Sequence, residues 1–125
     1  MRLNQVTIPS KNIEKSVDFY KKLGLHLIVD ASPRYVRFEL PDGESTFSIH
    51  HVENFPKESS ITIYFEDDNL DKLVKSLQKK GIHFTQLPIN QRWLWREAHL
   101  LDPDGNKLIL FTAGENRKNP PWRIN

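Results

Sequence analysis

Apolar residues recur at helical spacing in two segments of the chain. The first segment spans 12–23 and has its apolar positions at Ile13, Val17, Tyr20 and Leu23. The second spans 70–80, with Leu70, Leu73, Val74 and Leu77 at positions i, i+3, i+4 and i+7. This spacing predicts two amphipathic helices. Asn69 is the predicted N-cap of the second helix, and Gly24 and Gly81 are the predicted stops, because glycine ends helices in the left-handed conformation at no steric cost.

Shorter segments around each helix have the composition and alternation of β-strands. One strand is predicted before each helix, over 5–9 and 60–65; in the second of these, Ile61, Ile63 and Phe65 alternate with Thr62 and Tyr64. Three more strands are predicted after each helix, over 25–30, 35–40 and 46–52 in the first half and over 83–87, 93–101 and 107–112 in the second. Each half therefore has the predicted order βαβββ.

Related phrases in the two halves predict an internal duplication. Leu-Gly-Leu-His-Leu at 23–27 follows the first helix, and Lys-Gly-Ile-His-Phe at 80–84 follows the second. A Pro-Asp-Gly turn also precedes the last predicted strand of each half, at 41–43 and 103–105. Two such halves stabilise each other by covering apolar sheet faces that one half would leave exposed.

Composition and length limit the organisation and the chemistry. The chain has 125 residues, 38% of them hydrophobic, which is enough for one domain with its own core. We expect module one at about 1–55, module two at about 58–113 and a C-terminal tail at 114–125. Because the chain has no cysteine, it has no disulfide framework, thiolate metal site or cysteine nucleophile.

Charge and hydropathy bear on partners and location. The formal net charge is only +2, and the basic residues are interspersed with acidic ones, so a nucleic-acid partner is not expected. The longest apolar run, 108–111, is far too short to span a membrane. The chain is expected to be a soluble cytoplasmic protein with no membrane partner.

Two motifs resemble those of a known superfamily. The sequence IEKSVDFYKKLGL at 13–25 resembles the first-helix signature of the vicinal oxygen chelate superfamily, which contains glyoxalase I, bleomycin-resistance proteins, fosfomycin-resistance proteins and extradiol dioxygenases. The sequence DPDGNKL at 102–108 is similar to the last hairpin of that superfamily. The resemblance implies an α+β fold in which two βαβββ modules form a cleft between curved sheets. It implies no single function, because this scaffold hosts isomerases, dioxygenases, transferases and binding proteins.

The resemblance also implies four metal-ligand positions in the metal-dependent members, in the first and last strand of each half. They fall on Gln5, on Ser48 with His50 as the alternative, on Thr62 with Ser60 as the alternative, and on Ile109. Hydroxyl groups and an isoleucine are poor ligands for a divalent ion. No metal and no cofactor is therefore predicted at the usual site.

Three side chains are candidates for catalysis. Glu97 and His99 are two residues apart in a predicted strand, so they share a face and offer two groups to one ligand or metal. His50 is the third candidate, as a base or a ligand in the cleft. The alternative for each is a structural role, as a hydrogen-bonded or solvent-facing strand residue.

Aromatic residues suggest a wall on which a ligand stacks. Trp93 and Trp95 are predicted to share one strand face, and Tyr64 lies in another strand. Packing against a partner subunit or the tail is the alternative. Together with the positions implied by the resemblance, the predicted ligand-binding residues are Gln5, Ser48, Thr62, Tyr64, Trp93, Trp95 and Ile109.

In the tail, Trp122 and Ile124 are predicted to dock on the body or on a partner.

These observations favour a metal-free protein that binds an apolar or aromatic small molecule and resembles the bleomycin-resistance type. One alternative is a glyoxalase-type lyase or isomerase, or a dioxygenase, with a relocated site at His50, Glu97 or His99. A module for subunit interaction is a third alternative. Open sheet edges and the aromatic tail also predict a homodimer.

Overall fold

The computed structural model describes residues 3–55 and 61–124. Its helices are α1 (Ile13–Leu23) and α2 (Leu70–Lys79), and its strands are β1 (Gln5–Ser10), β2 (His26–Ala31), β3 (Tyr35–Glu39), β4 (Thr46–His51), β5 (Thr62–Glu66), β6 (Gln86–Asn90), β7 (Arg96–Leu101) and β8 (Lys107–Thr112). The chain divides into two compact units, Met1–Ser60 and Ile61–Asn125. Each unit has the order βαβββ, which confirms the predicted α+β fold class.

The first unit is a four-stranded sheet covered on one face by α1. Its strand order is β1-β4-β3-β2, with β1 and β4 parallel and the other pairs antiparallel. Tyr20 on α1 is fully buried, and its ring contacts those of Phe38 and Phe47 on the sheet. These apolar contacts fix α1 on the sheet.

α1 has a side-chain cap at its start and ends at the predicted glycine. The Asn12 side chain accepts a hydrogen bond of 3.1 Å from the Lys15 backbone N–H, which satisfies one of the free donors at the helix start. Gly24 ends the helix with φ of 108°, and its N–H donates to the Lys21 carbonyl.

The second unit repeats this architecture. Its strand order is β5-β8-β7-β6, with β5 and β8 parallel. α2 buries Leu70, Val74 and Leu77. The same strand order and the same position of the parallel pair in both units support the internal duplication.

Strand alternation gives the sheet of the second unit two different faces. Arg96 at the start of β7 donates hydrogen bonds to Asp71 on α2, so Arg96 and the alternate residues Ala98 and Leu100 face that helix. In β8, the partners of these residues are Thr112, Leu110 and Leu108. The residues between them point to the opposite side, which is called the helix-free face below.

The predicted turn before β8 is present. One carboxylate oxygen of Asp102 accepts the backbone N–H groups of Asp104 and Asn106, at 2.9 and 2.8 Å. The other oxygen accepts a bond from the Asn106 side chain. Gly105 supplies the positive φ of 84° that the tight return requires. Asp102, which is 5% exposed, thereby holds the turn together.

Two strand predictions in the second unit were wrong. β6 spans 86–90 instead of 83–87, and β7 begins at Arg96 instead of at Trp93. The residues in between form a turn: the Gln91 N–H donates to the Trp95 carbonyl, and the Leu94 N–H donates to the Gln91 carbonyl. Leu94 has φ of 68°, which breaks strand alternation. The predicted common strand face of Trp93 and Trp95 therefore does not exist.

Asn69 is the N-cap residue of α2, as predicted, but its side chain makes no capping hydrogen bond. The Asp67 carboxylate instead accepts the Asn69 backbone N–H at 2.8 Å. β5 begins at Thr62. Ser60, the alternative to Thr62 among the implied metal-ligand positions, lies outside the described residues.

The tail begins with a short 3₁₀ helix, Gly114–Arg117. Arg117 forms an ion pair of 3.5 Å with Glu66, and the Asn116 carbonyl accepts a bond of 3.3 Å from the Trp95 indole. Trp122 and Ile124 remain 57% and 91% exposed, so the predicted docking of these two residues on the body is not observed.

Within the described residues, no helix is long and apolar enough to cross a membrane.

Candidate functional site

Three aromatic rings form a cluster on the helix-free face of the second unit. Trp95 stacks on Phe111, with 4.6 Å between ring centroids and 16° between planes. Tyr64 is perpendicular to both rings at centroid distances of 5.9 and 5.7 Å. Phe111 is buried with Ile109 and Ala113, whereas Tyr64 is 49% exposed. This aromatic cluster thus combines a buried base with an exposed ring edge.

A buried carboxylate lies beside the aromatic cluster. Glu97 is the register partner of Phe111 on the neighbouring strand and is only 2% exposed. One of its oxygens accepts a bond of 2.7 Å from the Trp93 indole N–H, and the other lies 2.9 Å from Nε2 of His99. The His99 side chain is 20% exposed. Both carboxylate oxygens of Glu97 therefore have a hydrogen-bonding partner, and the partly exposed His99 lies between this carboxylate and the surface.

The position of Trp93 determines one hydrogen bond of the Glu97 carboxylate. Because Trp93 lies in the turn that precedes β7, its indole reaches Glu97 four residues later. An indole N–H is only a donor, so the Glu97 oxygen that it contacts is an acceptor. Trp93 is still 39% exposed, and it acts here as a hydrogen-bonding partner of the carboxylate.

In the first unit, Phe38 and Phe47 face α1, and the opposite face of the sheet is likewise called its helix-free face. This face is polar. The hydroxyl groups of Thr7 and Ser48 are 2.6 Å apart, and Arg37 donates a bond of 2.9 Å to the Tyr35 hydroxyl. Desolvation of the Tyr35 phenol opposes its ionisation, but hydrogen bonds to Ser48 and Arg37 and the Arg37 charge outweigh it, so the pKa of Tyr35 lies below its ordinary value.

Two other predicted residues lie on this polar face. Gln5 is exposed, and its side-chain oxygen accepts a bond of 2.7 Å from Thr46. His50 is exposed and pairs in register with Tyr35 on β3 and with Pro9 on β1. Ser48, Gln5 and His50 thus share one face, as predicted from alternation.

An open depression of about 520 Å³ lies beside the aromatic cluster. Trp95 forms part of its wall, together with the turn before β7 and the end of β8. The residues that line it are Asn90, Gln91, Leu94, Trp95, Arg96, Thr112, Ala113 and Asn116. A ligand of modest size therefore has access to one side of Trp95.

Comparison with known proteins assigns the family. The model of the Glyoxalase/Bleomycin resistance protein/Dioxygenase superfamily matches residues 2–110. The chain belongs to this superfamily. No curated protein matches the sequence.

Solved structures of the superfamily share the fold. A glyoxalase/bleomycin resistance protein/dioxygenase from Nocardioides has a TM-score of 0.78 at 20% identity, covering 100% of this chain and 90% of that one. A bleomycin-binding protein complexed with bleomycin has a TM-score of 0.74 at 21% identity, covering 90% and 98%. A lactoylglutathione lyase from Agrobacterium tumefaciens has a TM-score of 0.71 at 12% identity, covering 89% and 92%. At these identities the likeness establishes the fold alone.

The residues at the implied metal-ligand positions do not fit a divalent ion. The oxygens of Gln5 and Ser48 already bond to neighbouring hydroxyl groups, and Ile109 has no donor atom. Thr62 supplies only a hydroxyl group. In the part of the chain that the structure describes, no group of three or more His, Asp or Glu side chains could hold a metal ion.

The structure brings the predicted residues of the second unit together. Tyr64, Ile109 and His99 form one row across the helix-free face, because Tyr64 pairs with Ile109 and Ile109 pairs with His99. Thr62 and Glu97 lie on the same face, each two residues before a member of this row on its own strand: Thr62 before Tyr64, and Glu97 before His99. The roles of these residues in binding or catalysis remain predictions.

Two residues of this face were not predicted from the sequence. Phe111 forms the base of the aromatic cluster, and Glu66 connects β5 to the tail through Arg117. Phe111 lies two residues after Ile109, so strand alternation contained the signal. Nothing in the sequence indicated the partner of Glu66, because that ion pair depends on the path of the tail.

Proposed function

We propose that this protein binds a planar apolar or aromatic small molecule without a divalent metal at the usual site of the superfamily. The ligand lies on the helix-free face of the second unit, against the aromatic cluster. The observation that carries the proposal is the half-exposed ring of Tyr64 next to the partly buried Trp95, which stacks on the buried Phe111. Flat rings of a ligand gain both burial and favourable stacking geometry on such a surface.

One further observation supports this proposal. Among proteins with the same fold, one is described as a bleomycin-binding protein complexed with bleomycin, which supports small-molecule binding on this scaffold.

Nitrobenzene is a suitable first probe, because it is planar, carries no ionisable group and quenches tryptophan fluorescence. We expect saturable quenching that Tyr64→Ala weakens about 10-fold, a loss of roughly 1.4 kcal/mol of binding free energy. Phe111→Ala removes the base of the cluster and costs stability as well, so Tyr64 is the cleaner position.

Trp122 supplies the matched control. It is exposed in the tail, away from the cluster residues in sequence and without a contact to them. Trp122→Phe removes one fluorophore and should leave the nitrobenzene affinity unchanged. Quenching that depends on Trp122 but not on Tyr64 would show that the probe binds elsewhere and would contradict the proposed site.

An enzymatic function is the second candidate. The hydrogen bond between Glu97 and His99 favours it, because a buried carboxylate beside an imidazole is an arrangement that acid–base catalysis uses. A lactoylglutathione lyase shares the fold, which makes a lyase or isomerase reaction the natural comparison. An activity abolished by His99→Gln but retained after removal of divalent ions would support this candidate.

We also propose that the protein is a homodimer. The tail exposes the apolar side chains of Trp122 and Ile124, and burial against a second copy would remove that surface from water. A sedimentation measurement of the purified protein tests this proposal, and a strictly monomeric species at high concentration contradicts it.

A further inference from the structure

We infer that His99, positioned by Glu97, takes up the proton of an acidic hydroxyl group on the bound ring compound, so that the ligand is held as its anion. This inference rests on the proposed function, because it concerns the same face and specifies the substrate class further. It assigns His99 the contact with the ligand and Glu97 the role of a positioning residue.

The hydrogen bonds of Glu97 determine where the protons of the pair lie. Trp93 can only donate, so it donates to one carboxylate oxygen, and the ionised carboxylate can only accept at the other. With Glu97 ionised, Nε2 of His99, 2.9 Å away, carries the hydrogen of this bond. In the neutral imidazole this leaves Nδ1 with its lone pair, as a proton acceptor. Within residues 3–55 and 61–124, the hydrogen bond seen for the His99 ring is the one at Nε2.

Burial makes this arrangement rigid and polarised. Glu97 is 2% exposed and receives two N–H donors, which compensate for its removal from water. A carboxylate fixed in this way both selects the imidazole tautomer and stabilises the imidazolium that forms when the ring takes up a proton. A solvent-facing pair would gain little from the same contact, because water screens it.

The sheet register places His99 beside the proposed ligand. His99, Ile109 and Tyr64 are direct neighbours across three adjacent strands, and neighbouring strands are about 4.8 Å apart. Ile109 is buried, so a ring that lies over this row contacts chiefly the exposed parts of Tyr64 on one side and of His99 on the other. A hydroxyl group on the His99 side of that ring points to the imidazole, while the rest of the ring contacts apolar side chains.

The step is a simple proton transfer. The O–H bond of the ligand breaks, an N–H bond forms at Nδ1 of His99, and the ligand oxygen keeps the electron pair. Net charge is unchanged, because an imidazolium and an oxyanion replace two neutral groups. The other ionisable side chains of the described residues on this face are Tyr64, Glu66 and Lys107, the last at the start of β8. Glu66 forms an ion pair with Arg117.

Two probes separate this inference from the proposed function. Nitrobenzene tests stacking alone, and 4-nitrophenol adds the acidic hydroxyl and changes its absorption spectrum on ionisation. Binding is measured at a pH below the pKa of free 4-nitrophenol, so that the free probe is mostly neutral. We expect bound 4-nitrophenol to show the phenolate absorption band and to bind about 10-fold more tightly than nitrobenzene.

The variants address each partner of the pair. Glu97→Gln keeps the shape and an acceptor for Trp93, but its amide donates to Nε2 and forces the proton onto Nδ1. We expect Glu97→Gln and His99→Gln to abolish the phenolate band while nitrobenzene still binds. His83→Gln is the matched control, because His83 is an exposed histidine of the same unit that makes no contact with Glu97. It should leave both probes unaffected.

The outcomes are distinct. If both probes bind equally and 4-nitrophenol stays neutral, the inference is wrong and the proposed function stands. If neither probe binds, both fail. A further measurement needs no ligand: nitrogen-15 NMR of the histidine rings should show the Nε2–H tautomer for His99 in the unmodified protein. An Nδ1–H tautomer there overturns the inference even if Glu97→Gln does not fold.

Discussion

Ser48 and Ile109 occupy the same register position in the two halves of the protein. Ser48 on β4 pairs with Thr7 on its parallel neighbour β1, and Ile109 on β8 pairs with Tyr64 on its parallel neighbour β5. Both are buried on the helix-free faces of their sheets. The duplicated fold thus presents a hydroxyl group at one copy of this position and an apolar side chain at the other.

The first prediction concerns metal content. Purified protein should contain no stoichiometric zinc, nickel, iron or manganese at Gln5, Ser48, Thr62 and Ile109, because amide and hydroxyl oxygens and an isoleucine do not replace the ion's hydration shell. Elemental analysis after exhaustive dialysis is the measurement. Stoichiometric metal that disappears in Gln5→Ala would contradict the prediction. Metal lost instead in His50→Ala or His99→Ala would indicate a relocated site.

The second prediction concerns the ionisation of Tyr35. Although desolvation opposes ionisation, hydrogen bonds to Ser48 and Arg37 and the Arg37 charge lower the pKa of this phenol, so part of the phenolate absorption should appear below the ordinary tyrosine range. Tyr35→Phe should remove that part of the ultraviolet titration, and Ser48→Ala should shift it to higher pH. Tyr64→Phe serves as the control that leaves it in place.

The same shift makes stability depend on pH in a defined direction. A phenol whose pKa is lower in the folded state contributes stability above its unfolded-state pKa of roughly 10, and this contribution is lost as the pH falls through the folded-state pKa. The difference in unfolding free energy between the unmodified protein and Tyr35→Phe should therefore grow as the pH rises into that window. A difference that shrinks there would contradict the assigned direction.

The third prediction concerns the end of α1. Gly24→Ala should reduce the unfolding free energy by about 1–2 kcal/mol, because an L side chain is strained at φ of 108°. A Cβ at this position would meet no atom within 4 Å, so the cost comes from the backbone alone. Gly24→Asn should cost less, since asparagine tolerates left-handed angles better. Urea denaturation of the three proteins measures the order, and equal midpoints would contradict it.

The fourth prediction concerns the tail. Deletion of residues 120–125 should weaken dimerisation, because it removes the exposed apolar side chains of Trp122 and Ile124 while leaving the contacts of Asn116 and Arg117 intact. Sedimentation over a concentration series measures the change. Lys118→Gln is a suitable control, since it alters charge in the tail but not its apolar surface. An unchanged dissociation constant after the deletion would show that the tail plays no part in association.

The sequence was sufficient to predict the helices and the turn before β8. The end of α1 depends on local chemistry, and Gly24 acts there as predicted. The turn before β8 likewise depends on residues within it, with Asp102 and Gly105 in their expected places. Such features are encoded over a few neighbouring residues, which is why one sequence suffices.

The wrong predictions concern the hairpin of β6 and β7. Trp93, Leu94 and Trp95 look like strand residues by composition, but hydrogen bonds between Gln91 and Trp95 close a turn around them. A non-glycine residue at positive φ carries no compositional signal. The bond between Trp93 and Glu97 depends on this turn, so the central feature of the candidate site could not be predicted from alternation.

Strand alternation on β8 also has a practical consequence for protein engineering. Leu108 and Leu110 pack toward α2, and Ile109 and Phe111 lie between them on the other side of the same strand. Randomisation of the odd-numbered positions would change the helix-free face while leaving the helix-packed layer untouched. Because Ile109 and Phe111 are themselves buried, such libraries would have to preserve the volume of these two side chains, and chemical variety would come from the exposed position Lys107.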